Sequence, residues 1–444
     1  MQIEDFQRSL QRGLGRIILY LQEHDATPYQ EYILDACLHN NTYDPQSEGN
    51  KAQYLYEIIQ LTHKESFYRE AILHAMATIP PPISEFGDDL DWDVSQFFDF
   101  GLIFAQQGDK EARQAMYQLF LKRATRGCEF GAYDLIDLDG LDGFLFVARH
   151  LYHIAGSPKD QLDRWYLKTI EERFGHESVL HYIEQATTTE PLLTSFINYP
   201  REQKTTLESG DKHVIEDYEY ARQLIAEWKV KSSQERQYGA YNLGRLAFWG
   251  RRATDETLLL AANDLLNTTS DNILPYLAIF RNRPFPLDYR DVLQWTRNEN
   301  ADIAAQALAA LVPVHGPAVR ALALQLIHDP ERIGDALDLL INNYQEGDHL
   351  LIEQFLANLN DPDDFHNTGY SILKIFEQNP TKDCQQALIQ LYERDPCAYC
   401  REKAVRLLTE RQVFPDWMAQ ECLHDSRPGI REKAQLWLNM TSQL

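Results

Sequence analysis

Apolar residues recur along the C-terminal half of the chain at offsets i, i+4, i+7 and i+8, the spacing of one stripe on an α-helix. Cys400, Ala404, Leu407 and Leu408 form the clearest example. Each such segment predicts a short amphipathic helix. Six segments follow the template, and they begin at Ile303, Val319, Ile333, Cys384, Cys400 and Ile430. The first and third of these starts are thirty residues apart, and so are the last two.

Turn signals separate the predicted helices. Proline follows Asp329, Asp361, Asn379 and Asp395, and such dipeptides favour turns and helix starts. The sequence therefore predicts a repeat of two short helices in about thirty residues. Because a helix pair with one apolar stripe per helix cannot bury itself, we expect the pairs to stack into an all-α fold, an α-solenoid.

The letters Arg-Glu-Lys-Ala occur twice, at Arg401–Ala404 and at Arg431–Ala434. Alanine is on the apolar stripe in both copies, and we expect the three charged residues to face water or the loops. With Asp395 and Asp425 upstream and leucines downstream, the pattern resembles the short form of the HEAT-repeat family. The resemblance covers roughly residues 230–444, with gaps near 345–380 and a more diverged copy at Gln234–Leu246. It implies a right-handed α-solenoid of antiparallel helix pairs that binds proteins, and it specifies no partner.

The N-terminal half is also predicted to be helical, with a less regular pattern. One long apolar stripe runs from Ile3 to Leu21, and further helices are expected at 92–106, 110–125, 141–155, 159–174 and 177–186. These helices are either diverged repeats, which we favour, or a distinct helical cap. With a weak boundary in the polar stretch Arg201–Lys212, we predict an N-terminal helical region, 1–210, and a repeat region, 211–444.

Composition and charge narrow the function. The chain has 444 residues, of which 44% are hydrophobic and 25% charged, as in folded globular proteins. Its net charge of −25 opposes direct binding to nucleic acid, because phosphate contacts need clustered cations. No long apolar stretch or signal peptide is evident, and six scattered cysteines suggest a reducing compartment. We therefore expect a cytoplasmic protein without membrane contact.

An acidic segment is the candidate partner-binding site. Asp88, Asp89, Asp91, Trp92 and Asp93 combine carboxylates with an aromatic side chain of the kind that anchors interfaces. Counted from Asp89, the positions that need glycine and glutamate in an EF-hand calcium loop hold other residues, so calcium is not expected. An exposed acidic loop that caps the next helix is the simpler interpretation, and a contact surface for a basic protein is the functional one.

Other groupings are weaker. Asp134–Gly143 also departs from the calcium-loop pattern and predicts a turn between helices, with Asp142 able to cap the second. His176 and His181 are five residues apart, which does not direct both imidazoles at one metal. No phosphate-binding, dinucleotide-binding or serine-hydrolase motif occurs.

Four metal-ligating residues lie near the C-terminus. Cys397 and Cys400 form a CxxC pair, and Cys422 and His424 follow downstream. Antiparallel helices would bring the four together as a zinc site. Cys400 is already on the apolar stripe, however, and buried cysteines commonly pack as small hydrophobes. We therefore expect core packing, with no metal and no cofactor.

The sequence thus favours a non-catalytic scaffold or adaptor whose acidic curved surface holds a basic or polar partner protein. An alternative is an immunity or inhibitor protein that neutralises a basic toxin or nuclease, and a second is an enzyme or accessory factor in protein modification. The sequence indicates no particular oligomeric state.

Overall fold

The computed structural model describes residues 1–155, 160–199, 218–230, 240–268, 272–329 and 331–442. Over these residues the chain forms 27 α-helices, short 3-10 turns and no β-strand, and one isolated bridge joins Thr125 to Cys128. The prediction of an all-α fold is confirmed. Of the helices in this described part, none is both long and apolar enough to cross a bilayer.

The chain divides into two compact units. Unit 1 comprises Met1–Leu207 and Pro415–Leu444, and unit 2 comprises Glu208–Phe414. The last thirty residues therefore group with the N-terminal helices, whereas the repeat pattern predicts one region for all of 211–444. The predicted boundary at 201–212 lies outside the described residues.

The helices succeed one another along the two units as follows. Unit 1 begins with α1 (Ile3–Arg12), α2 (Arg16–Glu23), α3 (Gln30–Leu38), α4 (Pro45–Glu48), α5 (Ala52–Leu61), α6 (Glu65–Thr78), α7 (Asp91–Gln106), α8 (Lys110–Arg123), α9 (Ala132–Asp139), α10 (Leu141–Ile154), α11 (Arg164–Phe174), α12 (His176–Ala186) and α13 (Pro191–Ile197). Unit 2 contains α14 (Tyr218–Val230), α15 (Ala240–Arg252), α16 (Asp255–Asn267), α17 (Ile273–Ile279), α18 (Arg290–Leu293), α19 (Ala301–Leu311), α20 (Pro317–Leu326), α21 (Ile333–Leu340), α22 (Asp348–Asn358), α23 (Pro362–Gln378), α24 (Gln385–Arg394) and α25 (Ala398–Glu410). Unit 1 ends with α26 (Asp416–Cys422) and α27 (Pro428–Thr441).

The apolar stripes predict the buried faces of the repeat helices well. In α25 all four template positions, from Cys400 to Leu408, are buried, and Ile430, Ala434 and Trp437 are buried in α27. The prediction for the charged letters is wrong at Arg401, which is fully buried with its guanidinium carbon 5.9 Å from the ring centroid of Tyr392. Packing beside an aromatic ring lets a weakly hydrated guanidinium enter the core.

The N-terminal stripe is broken, contrary to the prediction of one long helix. Helix α1 ends at Arg12, and Gly13 adopts a left-handed conformation with φ of 73° that closes the helix. Helix α2 then begins at Arg16. Glycine at this position ends helices because it reaches positive φ without a Cβ clash. A similar stop follows α6, which ends at Thr78 just before three consecutive prolines.

The C-terminal segment packs on the first helices of unit 1. The backbone N–H of Ser426 donates to the carbonyl of Gly13 at 2.8 Å. Arg16 Nε donates to Glu421 Oε1 at 2.9 Å, and Arg431 Nη1 donates to Glu57 Oε1 at 2.8 Å. These contacts join the two ends of the chain into one compact unit.

Unit 2 contains a row of odd-numbered helices. Helix α15 contacts α17, which contacts α19, and the same relation continues through α21 and α23 to α25. We call these six helices of unit 2 the odd-helix row. Helix ends in unit 2 are capped by short polar side chains: Asn300 accepts from the first turn of α19, and Asp361 accepts from that of α23, where Pro362 is the first helical residue.

Candidate functional site

Two carboxylates of the predicted acidic site face inward. Arg123, at the end of α8, is only 2% exposed, and its Nη2 donates to Asp88 Oδ1 and to Asp91 Oδ1, each at 2.6 Å. Asp91 Oδ2 also accepts from the backbone N–H of Asp88 at 2.7 Å. The hydrogen bond from Arg123 lowers the pKa of Asp88 below its ordinary value. Both groups therefore stabilise the loop internally.

The remaining members of the site differ in exposure. Asp93 Oδ1 accepts from the backbone N–H of Asn40 at 2.6 Å, and its Oδ2 lies 3.2 Å from His39 Nδ1. Trp92 is half-buried, with its ring centroid 5.4 Å from that of Phe130. Asp89 is exposed, and no hydrogen bond or ion pair of its carboxylate is among those of the described residues. Of the five residues, Asp89 is thus the one whose charge is left for a partner.

The same loop exposes apolar side chains that the sequence pattern did not single out. Ile83 is 90% exposed and Phe86 is 79% exposed. The sequence does contain a signal for this exposure: both residues lie between a triple proline and an acidic run, where burial in a helix is not expected. Binding of a partner by this loop stays a prediction. The exposed side chains that the loop offers for such binding are apolar as well as acidic.

The second acidic segment is a turn, as predicted. Helix α9 ends at Asp139, and Gly140 has φ of 62° before α10 begins at Leu141. The expected cap is wrong: Asp142 makes no capping hydrogen bond and instead accepts from Tyr182 Oη at 2.5 Å. Asp139 accepts from Arg113 and Tyr117, so its charge is used within unit 1.

Histidine 176 has structural partners. It is buried at the first position of α12, with Nδ1 3.0 Å from Tyr199 Oη and 3.3 Å from Glu171 Oε1. Its ring also stacks on Tyr199, with the centroids 5.2 Å apart. This position ties α11 to α12 and to the segment after α13.

A group of potential metal ligands occurs in unit 2, and it includes two of the four candidate ligands from the sequence. Among the described residues, one group of at least three potential ligands has its ligand atoms within 4.8 Å of one another, and it comprises His366, Cys397 and Cys400. His366 Nδ1 lies 3.6 Å from Cys400 Sγ. Both thiols are buried and the imidazole is partly exposed. A hydrogen bond to Cys397 and burial raise the pKa of the Cys400 thiol.

Asp395 adjoins this group. Its carboxylate is fully buried, and Oδ1 accepts from the backbone N–H of Cys397 at 2.9 Å and lies 3.4 Å from His366 Nδ1. The other oxygen, Oδ2, is buried without a hydrogen-bond partner. Leaving part of a buried carboxylate unpaired is costly, which suggests that a cation belongs nearby.

The two other candidate ligands from the sequence belong to the other compact unit. Cys422, at the end of α26, and His424 are part of unit 1. The ligand group above contains neither of them. His366 takes their place. Sequence reasoning missed it because it lies 31 positions before Cys397, in a region where the repeat pattern was not recognised.

A groove of about 360 Å³ lies on the odd-helix row. It carries exposed Arg281, half-buried Lys374, the carboxylates of α21 and apolar positions of α19. Asp338 Oδ1 accepts from Ser371 Oγ, and Asp335 Oδ2 from Arg332 Nε, each at 2.7 Å. The lining residues are Ala247, Arg281, Asn282, Leu308, Ala309, Val312, Asp335, Asp338 and Lys374.

Comparison of the chain with models of protein families, with curated proteins and with solved structures finds no match.

Proposed function

We propose that this chain is a non-catalytic scaffold, built of HEAT-like helix pairs stacked as an α-solenoid, that holds a basic or polar segment of a partner protein. The observation that carries the proposal is the groove on the odd-helix row. Side chains from α15, α19, α21 and α23, and from the residues after α17, line it together. A groove that crosses successive helices is the usual binding surface of stacked-helix proteins.

The groove's chemistry suits an extended polar segment. Asp335 and Asp338 supply acceptors for a lysine or arginine of the partner, and Asn282 can both donate and accept hydrogen bonds. Arg281 and Lys374 share the groove with these groups and favour acidic or carbonyl oxygens beside the partner's cation. Ala309 and Val312, both half-buried, supply apolar contact.

The charge of the whole chain supports a basic partner. Residues 301–400, which include most of the groove lining, hold 5 basic and 15 acidic side chains, a net charge of −10. A field of this sign accelerates the encounter with a cationic protein and slows that with nucleic acid. Specificity then comes from the contacts in the groove.

The test compares two variants with equal charge loss. The groove variant, Asp335→Asn with Asp338→Asn, keeps the shape of both side chains and removes their charge. The control, Glu299→Gln with Asp302→Asn, removes two exposed carboxylates of unit 2 outside the groove lining. Wild type and both variants are used to capture proteins from a lysate of the source cells, and the dissociation constant of each captured protein is measured against salt concentration.

We expect one captured protein whose affinity falls about tenfold or more in the groove variant and less than about twofold in the control. Its affinity for the wild type is expected to fall as salt rises. A protein that binds all three chains equally, at every salt concentration, would exclude the groove as the binding site.

A further inference from the structure

We propose that His366, Cys397 and Cys400 bind a Zn²⁺ ion through Nδ1 and two thiolates, with the carboxylate of Asp395 beside the imidazole. This site is independent of the scaffold function, because it requires neither the groove nor a partner. It also differs from the expectation from sequence, in which the cysteines pack as small hydrophobes.

The separation of His366 Nδ1 and Cys400 Sγ matches that of two ligands in a tetrahedral zinc site. Zinc–sulfur and zinc–nitrogen bonds of about 2.3 and 2.0 Å, at tetrahedral angles, place the two ligand atoms roughly 3.5 Å apart. His366 Nδ1 and Cys400 Sγ are 3.6 Å apart, and Cys397 Sγ lies within 4.8 Å of both. The three atoms can therefore surround one ion without rearrangement of the helices.

Local structure places the three ligands on two neighbouring helices. Cys397 is the N-cap residue of α25 and Cys400 lies in its first turn, so a CxxC pair directs both thiols to one side of the helix start. His366 lies near the start of α23, and α23 contacts α25 in the odd-helix row. An ion held by all three would fasten these helices together at their N-terminal ends.

Asp395 gives independent support. A cysteine cluster that merely packs in a core does not require a charged neighbour, yet Asp395 is fully buried and leaves Oδ2 without a partner. Its Oδ1 lies 3.4 Å from His366 Nδ1, although the carboxylate is not among the three ligand atoms that lie within 4.8 Å of one another. A zinc ion here would give the buried carboxylate a cationic neighbour, while the two thiolates balance the charge of the ion itself.

The ligand types select zinc. Two thiolates and an imidazole suit Zn²⁺, whereas magnesium and calcium require oxygen ligands. Binding exchanges two thiol protons for the ion, so the thiols enter as thiolates and the protons leave to solvent. No oxidant or reductant is needed.

The experiment measures zinc bound to the full-length chain. Protein produced with added zinc is analysed for metal by mass spectrometry, then stripped with a chelator and titrated with Zn²⁺ against a chromophoric competitor. We expect about one zinc per chain. His366→Ala, Cys397→Ser and Cys400→Ser should each lower the affinity at least about 100-fold, and Asp395→Asn about 10- to 100-fold.

Cys384→Ser is the matched control. Cys384 is also buried in unit 2, and its thiol contacts the Thr381 carbonyl at 3.0 Å, outside the cluster. This variant should bind zinc as the wild type does. If the ligand variants unfold, Co²⁺ titration of the wild type decides instead, because thiolate coordination produces near-ultraviolet charge-transfer bands and tetrahedral geometry intensifies the visible ones.

Three results would overturn the proposal. One is less than about half a zinc per chain at saturation. The second is equal zinc affinity in Cys397→Ser and Cys384→Ser. The third is a reversible Cys397–Cys400 disulfide in a chain that binds no zinc, which would identify a redox pair in place of a metal site.

Discussion

At the scale of single residues, unit 1 buries carboxylates under two different conditions. Asp88 and Asp91 share the buried guanidinium of Arg123, which compensates part of their charge. For Asp134, on α9, burial and, to a smaller extent, the nearby carboxylates of Asp99 and Asp137 together raise the pKa to about 7. Asp134 is therefore a place where the stability of unit 1 responds to pH near neutrality.

Asp134→Asn should make stability less dependent on pH. An unfolded aspartate titrates near pH 4, whereas the folded group titrates at about 7, so folding takes up a proton between these values. Stability contributed by this group is present at low pH and is lost as pH rises from about 4 through 7. The variant should gain about 1–3 kcal/mol relative to the wild type between pH 5 and pH 8.

Urea unfolding at the two pH values measures the effect. Glu70→Gln, which neutralises an exposed carboxylate of unit 1, is the control and should leave the pH dependence of the wild type unchanged. Equal pH dependence in Asp134→Asn and the wild type would show that Asp134 titrates normally in the folded protein.

At the scale of helices, two glycines, which have no side chain, allow the C-terminal segment to contact the loop between α1 and α2. A Cβ atom at Gly15 would overlap the backbone oxygen of Glu421, and one at Gly13 would overlap the side chain of Ser426. The backbone of the loop between α1 and α2 therefore lies directly against α26, with no side chain between them. Glycine permits this approach, and the ion pair of Arg16 with Glu421 lies beside it.

Gly15→Ala should loosen the C-terminal segment. Since the clashing atom belongs to the backbone of α26, relief requires the helices to separate, at a cost of about 1–3 kcal/mol. Limited proteolysis should cleave Pro415–Leu444 faster than in the wild type. The matched control is Gly244→Ala in α15, where an added Cβ meets open space and improves helix propensity. Cleavage at the wild-type rate in Gly15→Ala would show that the two segments accommodate the methyl group.

At the scale of the whole molecule, excess negative charge is spread over both units. Residues 1–100 hold 6 basic and 17 acidic side chains, and residues 301–400 hold 5 and 15. The whole chain has 42 lysines and arginines for 67 carboxylates, so a surplus of −25 has no internal cation to balance it. Such a surplus opposes association between copies of the chain, and the repulsion between its own negative charges destabilises the folded state.

Salt should therefore raise the melting temperature. Between about 10 and about 150 mM sodium chloride, the screening length shortens from about 30 to about 8 Å, which weakens repulsion across each unit more than it weakens contact ion pairs. Differential scanning calorimetry measures the shift, and a neutral osmolyte at equal osmolarity is the comparison that isolates charge. A melting temperature that falls with salt would mean that ion pairs outweigh the repulsion.

Sequence periodicity was a good guide to helices and a poor guide to side-chain partners. The stripe from Cys400 to Leu408 is buried as predicted, because helical spacing is a local property. The acidic site differs, because nothing in Asp88 to Asp93 reveals that Arg123 lies against it, 32 positions beyond Asp91. The sequence likewise predicts that Arg401 is a surface residue, whereas in the fold it packs beside Tyr392.

Local chemistry in the chain was sufficient to establish helices, their buried faces and several of their ends, since propensity, spacing and capping involve neighbours in sequence. Packing between residues far apart in sequence determined which helices and side chains meet. It joined His366 to the CxxC pair and brought the last thirty residues against the first helices, because such contacts depend on how helices meet, and a one-dimensional pattern carries no distance between remote positions.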